Sequence, residues 1–194
     1  MHKILTFFNK NLNKAIRILL FTNAMILLSA AMLAPIYALF VEKIGGDLLD
    51  ASLAGGLFAL VAGITTLLSG KFSDKIKENE LIVVLGYIII GLGFLLYTQV
   101  STVVHLFIVQ AIIGLGEAVY SPAFDAVYSK HLNIQESGTQ WGAWESMNYF
   151  TTALGAVIGG TIVTLLGFHV LFIVMATLSL SSALYIYHLK KRVL

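Results

Sequence analysis

Long oily runs alternate with short polar ones along this chain. Six apolar stretches occupy residues 18–41, 51–70, 81–100, 103–126, 140–166 and 168–187. Each is close to the ~20 residues a helix needs to cross the hydrocarbon of a bilayer. Lipid offers no hydrogen-bond partner, so a crossing segment must satisfy its own backbone, and only helices do so within one segment. The connections are short, which makes successive spans antiparallel neighbours. The pattern therefore predicts an all-α integral membrane protein. It has one six-helix transmembrane domain at 18–189, an amphipathic cytoplasmic segment at 1–17 and a basic cytoplasmic tail at 190–194.

Composition sharpens this picture. Hydrophobic residues make up 58% of the 194 and charged residues 11%, whereas a soluble domain carries about a quarter charged residues. The net charge of +2 comes with no basic stripe, so the chain lacks the electrostatic footprint of a nucleic-acid binder. With no cysteine there is no disulfide and no thiol chemistry. No metal site, cofactor or catalytic residue is expected. Six crossings put both ends on one face. Eleven of the 12 lysines and arginines then fall on that face: Lys3, Lys10, Lys14, Arg17, Lys71, Lys75, Lys77, Lys130, Lys190, Lys191 and Arg192. Only Lys43 lies opposite. The positive-inside rule makes that face, and both termini, cytoplasmic. Ile4, Leu5, Phe7 and Phe8 among lysines suit a helix lying on an anionic leaflet. A cleavable signal ending near "LSAAMLA" is the competing reading, and the apolar run continues past it.

Polar residues inside the spans carry the candidate chemistry, because intramembrane charge costs about 2.5–3.5 kcal/mol on insertion scales. In the fourth span Gln110, Gly114, Glu117, Ser121 and Asp125 recur at helical spacing, so they share one face. In the fifth, Trp141, Glu145, Asn148, Thr152, Gly155 and Gly159 do the same. The competing reading is packing, since small and polar residues join membrane helices. It suits Gly56, Gly63 and Gly70, seven apart in the second span, and Gly155, Gly159 and Gly160 in the fifth. Glu117 is harder to explain that way, with no lysine or arginine deep in any span. Three arrangements satisfy it: a carboxyl that keeps its proton, a carboxylate with a cation in a wet cavity, or a pair with a group on another subunit. Pro35 in the first span and Pro122 in the fourth each follow a polar amide by twelve positions, Asn23 and Gln110. That correspondence suits two three-helix repeats of inverted topology.

The loop "GKFSDKIKEN" (Gly70 to Asn79) resembles the cytoplasmic motif between helices two and three of the major facilitator superfamily, G-x-x-x-D-[RK]-x-G-[RK]-[RK]. Gly70, Asp74 and Lys75 match, while Lys77, Glu78 and Asn79 depart from it. "QAIIGLGEAVYSPAF" (Gln110 to Phe124) is similar to the family's fourth helix, with Gln110 where an arginine is usual. "ESGTQWGAWESM" resembles the loop into its fifth helix, and "LGAVIGG" (Leu154 to Gly160) the glycine-rich motif of many exporters. The likeness runs from about residue 15 to 189 and covers one half of a family member.

The resemblance implies alternating-access movement of a small solute, with proton-coupled export of an amphipathic or cationic compound as the form it takes. Spans one, two, four and five are expected to line the cavity. Glu117 is the expected ionisable group, with Gln110, Asn23, Tyr37, Glu145 and Asn148 as polar lining of the substrate and proton pathway. Gly70, Asp74 and Lys75 are expected to serve a cytoplasmic gate. In full-length members the loop aspartate meets the other half, so the resemblance implies a second half-transporter chain, identical or not. The expected setting is the cell membrane, with the bilayer, the solute and protons as partners. A non-transporting fragment or assembly scaffold is the alternative. An intramembrane enzyme is disfavoured: Ser69 lies at a helix end far from the membrane histidines, and H-E-x-x-H is absent.

Overall fold

In a computed structural model, which describes residues 12–76 and 78–189, the chain is all-helical among those residues. The helices are α1 (Lys14–Leu33), α2 (Tyr37–Lys43), α3 (Leu48–Ser73), α4 (Asn79–Leu96), α5 (Val103–Lys130) and α6 (Ser137–Tyr187). Five helical units, 14–43, 48–73, 79–99, 103–130 and 134–187, are long and apolar enough to cross a membrane. The residues 1–11, Lys77 and 190–194 lie outside the described ones, and with them most of the expected interfacial segment and the basic tail.

Each helix starts and stops for a local reason. The Ile16 N–H donates to Asn13 Oδ1 at 2.8 Å. The Asn13 side chain meanwhile donates to the His131 carbonyl, also at 2.8 Å, tying the start of α1 to the end of α5. The first helix thus begins four residues before the apolar run, because its cap is polar. At Pro35 the chain tightens into a 3₁₀ turn, Ala34–Ile36, before α2 resumes. Proline has no N–H to continue the helical ladder. Gly45, at φ +86°, makes the turn after α2. Asp47 and Asp50 then cap α3 reciprocally, each side chain accepting from the other's N–H at 2.9 Å.

The expected fifth and sixth spans meet in the single 51-residue helix α6, interrupted at Gly167 (φ +83°, ψ 172°). If α6 were straight, Gly159 and Ser182 would lie about 34 Å apart at 1.5 Å per residue. Yet Gly159 abuts Met32, and the Ser182 hydroxyl donates to the Thr22 carbonyl at 2.8 Å. Those two α1 residues are only about 15 Å apart by the same rise. The arms 137–166 and 168–187 therefore fold back on each other at Gly167, and both lie against α1.

Glycines set the closest approaches. A Cβ on Gly159 would overlap the Met32 carbonyl, and one on Gly155 would lie 2.6 Å from the Ala31 Cβ. Gly86 and Gly116 bring α4 against α5: a Cβ on Gly86 would lie 2.5 Å from the Tyr120 Cβ. Gly114 meets the Phe58 carbonyl of α3. By contrast, Gly56, Gly63, Gly70 and Gly160 have nothing near the position of a Cβ. Among the described residues, small size at these four positions relieves no clash, so the packing expected there is not made by them.

At the end of the bundle near Gly45 and Gly167, Phe40, Tyr97, Phe168 and Phe172 form an aromatic cluster with ring centroids 4.9–6.0 Å apart. α4 and α5 lie deepest. α3 is the barest: only 11% of its most apolar window is buried, against 50% for the α4 unit.

Candidate functional site

Pro122 sits inside α5 and cannot donate to the Ala118 carbonyl one turn earlier. The Ser69 hydroxyl of α3 donates to that carbonyl instead. In lipid an unpaired carbonyl is costly, so the proline's defect becomes a polar tie between α3 and α5. This also gives Ser69 a structural task.

Beside that tie the helices part to leave a cavity of about 340 Å³. Its walls come from Ile26, Ala30 and Leu33 of α1, Tyr37 of α2, Ala51, Gly55 and Phe58 of α3, Ile90 and Phe94 of α4, and Gln110, Ile113 and Glu117 of α5. Tyr97 and Met175 complete it. It lies toward the end of the bundle that carries Gly45. Its volume is at the small end of the range for ligand pockets, and so is its polarity: a mostly apolar wall with a few converging polar groups.

Three polar side chains converge there. The Gln110 amide donates to the Tyr37 hydroxyl at 2.6 Å, bridging α5 and α2 across the break at Pro35. Glu117, half-buried, is the one charged side chain among the described residues that line the cavity. Tyr120, one turn on along α5, brings its side chain within interacting reach of that carboxyl. The arrangement can hold a cation or a proton at Glu117, orient a polar group at Gln110 and Tyr37, and receive apolar bulk from Phe58, Phe94 and Ile113.

Of the sequence-derived candidates, Tyr37, Gln110 and Glu117 come together on this cavity. Asn23 does not. It is buried within the bundle, where its Oδ1 accepts from the Tyr87 hydroxyl at 3.5 Å. Its face of α1 is turned toward α4. Glu145 and Asn148 also lie elsewhere, on the first arm of α6, which contributes no wall to the cavity; Glu145 is exposed and Asn148 half-buried. That arm meets α1 through Gly155 and Gly159, while Glu145, expected to share their face, is left exposed at the start of the arm. The cavity thus draws on the third span, through Ile90, Phe94 and Tyr97, rather than the fifth. Those residues are apolar or aromatic, and a search for intramembrane charge passes over them. At the far end of α3, the Asp74 N–H donates to the Gly70 carbonyl at 3.1 Å, and Asp74 and Lys75 are exposed. Nothing else of the described chain covers them.

Known proteins carry the same pattern. Residues 19–193 match the Major Facilitator Superfamily. "Multidrug resistance protein MdtG" of Yersinia enterocolitica is 28% identical over 186 residues, covering 93% of this chain and 44% of that protein. "Uncharacterized MFS-type transporter MJ1317" of Methanocaldococcus jannaschii is 28% identical over 154 residues, 79% of this chain and 37% of that protein. The MdtG of Klebsiella pneumoniae is 26% identical over 176 residues, with coverages of 89% and 42%. The chain spans less than half the length of these curated relatives. An all-helical membrane bundle matched to one family over almost its whole length is a member of that family: the chain belongs to the Major Facilitator Superfamily.

Proposed function

We propose that the chain forms one half of an alternating-access transporter in the cell membrane and moves a small amphipathic or cationic solute outward in exchange for protons. The observation that carries this reading is the carboxyl of Glu117 in an otherwise apolar cavity, beside the Gln110–Tyr37 pair. A delocalised organic cation suits such a wall, because it offers charge to the acid and apolar surface to Phe58 and Phe94. The "multidrug resistance" in the names of the MdtG relatives supports the same substrate class. In this reading the two arms of α6 are separate crossings, six in all, in two three-helix inverted repeats. Both termini are cytoplasmic. Asn23, Glu145 and Asn148 serve the pathway only in another state or beside a second half. Gly70, Asp74 and Lys75 act at a gate completed by that second half, which is another copy of this chain or a separate protein.

Reconstitution with ethidium as the transported probe tests the function. The wild-type protein should drive ethidium movement under a proton gradient, and Glu117→Gln should abolish that drive. An unchanged rate with unchanged dependence on the gradient would sink the coupling role. Native mass in detergent addresses the partner: a two-chain particle is expected, and a strictly single-chain particle that still transports overturns the pairing. A wild-type protein that reconstitutes well and moves no probe would favour the scaffold alternative.

A further inference from the structure

A seam of buried groups runs beneath the cavity from its acid, and the transport reading gives no task to the tyrosines in it. It starts on α5 at Glu117, with the side chain of Tyr120 three residues on, close by along the same helix. The close crossing of α4 and α5 at Gly86 and Gly116 sets the Tyr120 ring edge-on to the Tyr87 ring, centroids 4.9 Å apart. The Tyr87 hydroxyl reaches α1, lying 3.5 Å from Asn23 Oδ1 and within hydrogen-bonding reach of Thr22. The Thr22 carbonyl in turn accepts from Ser182 on the second arm of α6. Tyr87 and Thr22 are 0% exposed, Asn23 is 1% and Tyr120 is 4%. Polar contacts thus join α1 to α4 and to the second arm of α6, and the edge-on ring contact carries the seam from α4 to α5.

Packing alone does not require hydroxyls here. Phenylalanine would fill the same space at both positions, and each buried hydroxyl must find a partner. Tyr120 finds the cavity acid, and Tyr87 finds the polar side chains of α1. We propose that Tyr120 and Tyr87 are positioning residues for Glu117: Tyr120 holds the carboxyl at the cavity wall, and Tyr87 passes a change of charge at that carboxyl to Asn23 on α1. The inference rests on reading Glu117 as the working acid of the cavity. The groups facing this acid are Tyr120 on its own helix and Tyr87 on α4, with Asp125 two turns further along α5 acting on Tyr120. When Glu117 gains a proton or a cation, the Tyr120 hydroxyl loses a charged acceptor, and the adjacent tyrosine and amide respond.

The test needs no transport and so separates this inference from the transport reading. Infrared spectra of the purified protein, taken across pH, give the carboxyl band of Glu117 as the signal lost in Glu117→Gln. Tyr120→Phe should move that band to higher wavenumber, as a carbonyl does when it loses a donor. Nitrogen-labelled protein gives the side-chain amide of Asn23, assigned by its loss in Asn23→Ala. Glu117→Gln should shift this resonance in the wild-type background and leave it in place in Tyr87→Phe. Should Tyr120→Phe fail to fold, wild-type protein grown with 3-fluorotyrosine, a stronger hydroxyl donor, should move the carboxyl band to lower wavenumber. A Glu117 band indifferent to both Tyr120→Phe and fluorotyrosine overturns the positioning role. An Asn23 resonance that answers Glu117→Gln equally with and without the Tyr87 hydroxyl overturns the link to α1.

Discussion

Single residues of one type behave very differently in this bundle. Gly159 leaves no room for a methyl group against Met32, while Gly63 has open space around it. Gly159→Ala should therefore destabilise the folded chain by about 3 kcal/mol or more, since a rigid backbone cannot yield. Gly63→Ala should stay within about 0.5 kcal/mol. Unfolding in detergent micelles, followed by circular dichroism, reads both. Tyr37 offers a milder case. Tyr37→Phe removes the acceptor of Gln110 and should cost about 0.6 kcal/mol, the average for a polar contact between membrane helices. The same unfolding assay reads it. Residue scale is also where the sequence was only half legible. Helical spacing shows that Gln110 and Glu117 share a face of α5, and they do line one cavity. It does not show which neighbour a polar face meets. Asn23 turned inward to Tyr87, and Glu145 turned outward, although Glu145 lay on a stripe as regular as that of Glu117.

Between elements, the tie from Ser69 to the carbonyl that Pro122 leaves open gives a test of its own. Ser69→Ala should cost about 0.6–1.7 kcal/mol, because a carbonyl in apolar surroundings loses its donor. Pro122→Ala restores an N–H within α5, so in that background the serine should matter less. A double-mutant cycle of unfolding free energies measures the difference, and additive costs would show that the two residues act independently. Gly167 is the other element-scale feature. Gly167→Ala should cost about 1–3 kcal/mol, the strain of a side chain at φ +83°, ψ 172°, a conformation essentially confined to glycine, and should loosen the contact between Ser182 and Thr22. Element lengths were largely readable from the apolar runs. The ends were not, because caps such as Asn13 and Asp47 are polar and carry the helices beyond the hydrophobic stretch. The bend at Gly167 falls in the gap between the expected spans 140–166 and 168–187, although the helix runs up to it from both sides.

For the whole molecule, burial is uneven. α4 and α5 are well covered, while α3 keeps Leu60, Leu67 and Phe72 all more than 60% exposed. The chain also lacks cysteine, so single cysteines report without a background. A cysteine at Gly45 and one at Ile76 should label from opposite sides of the membrane, with Ile76 on the cytoplasmic side. Labelling of both from one side would overturn the proposed orientation. The membership of the chain in its family was legible from the loop after α3 and from α5. The composition of the cavity was not, since its aromatic wall on α4 carries no charge to mark it.

The order in which these helices meet has a consequence for synthesis. α1 leaves the ribosome well before Gly155, Gly159 and Ser182, the residues of α6 that hold it. Until then the first helix can be kept in place only by lipid, by the insertion machinery and by its few contacts with earlier helices. A chain halted before Ser137 should insert its early helices and still be cleared by quality control, for want of the hairpin that clasps α1.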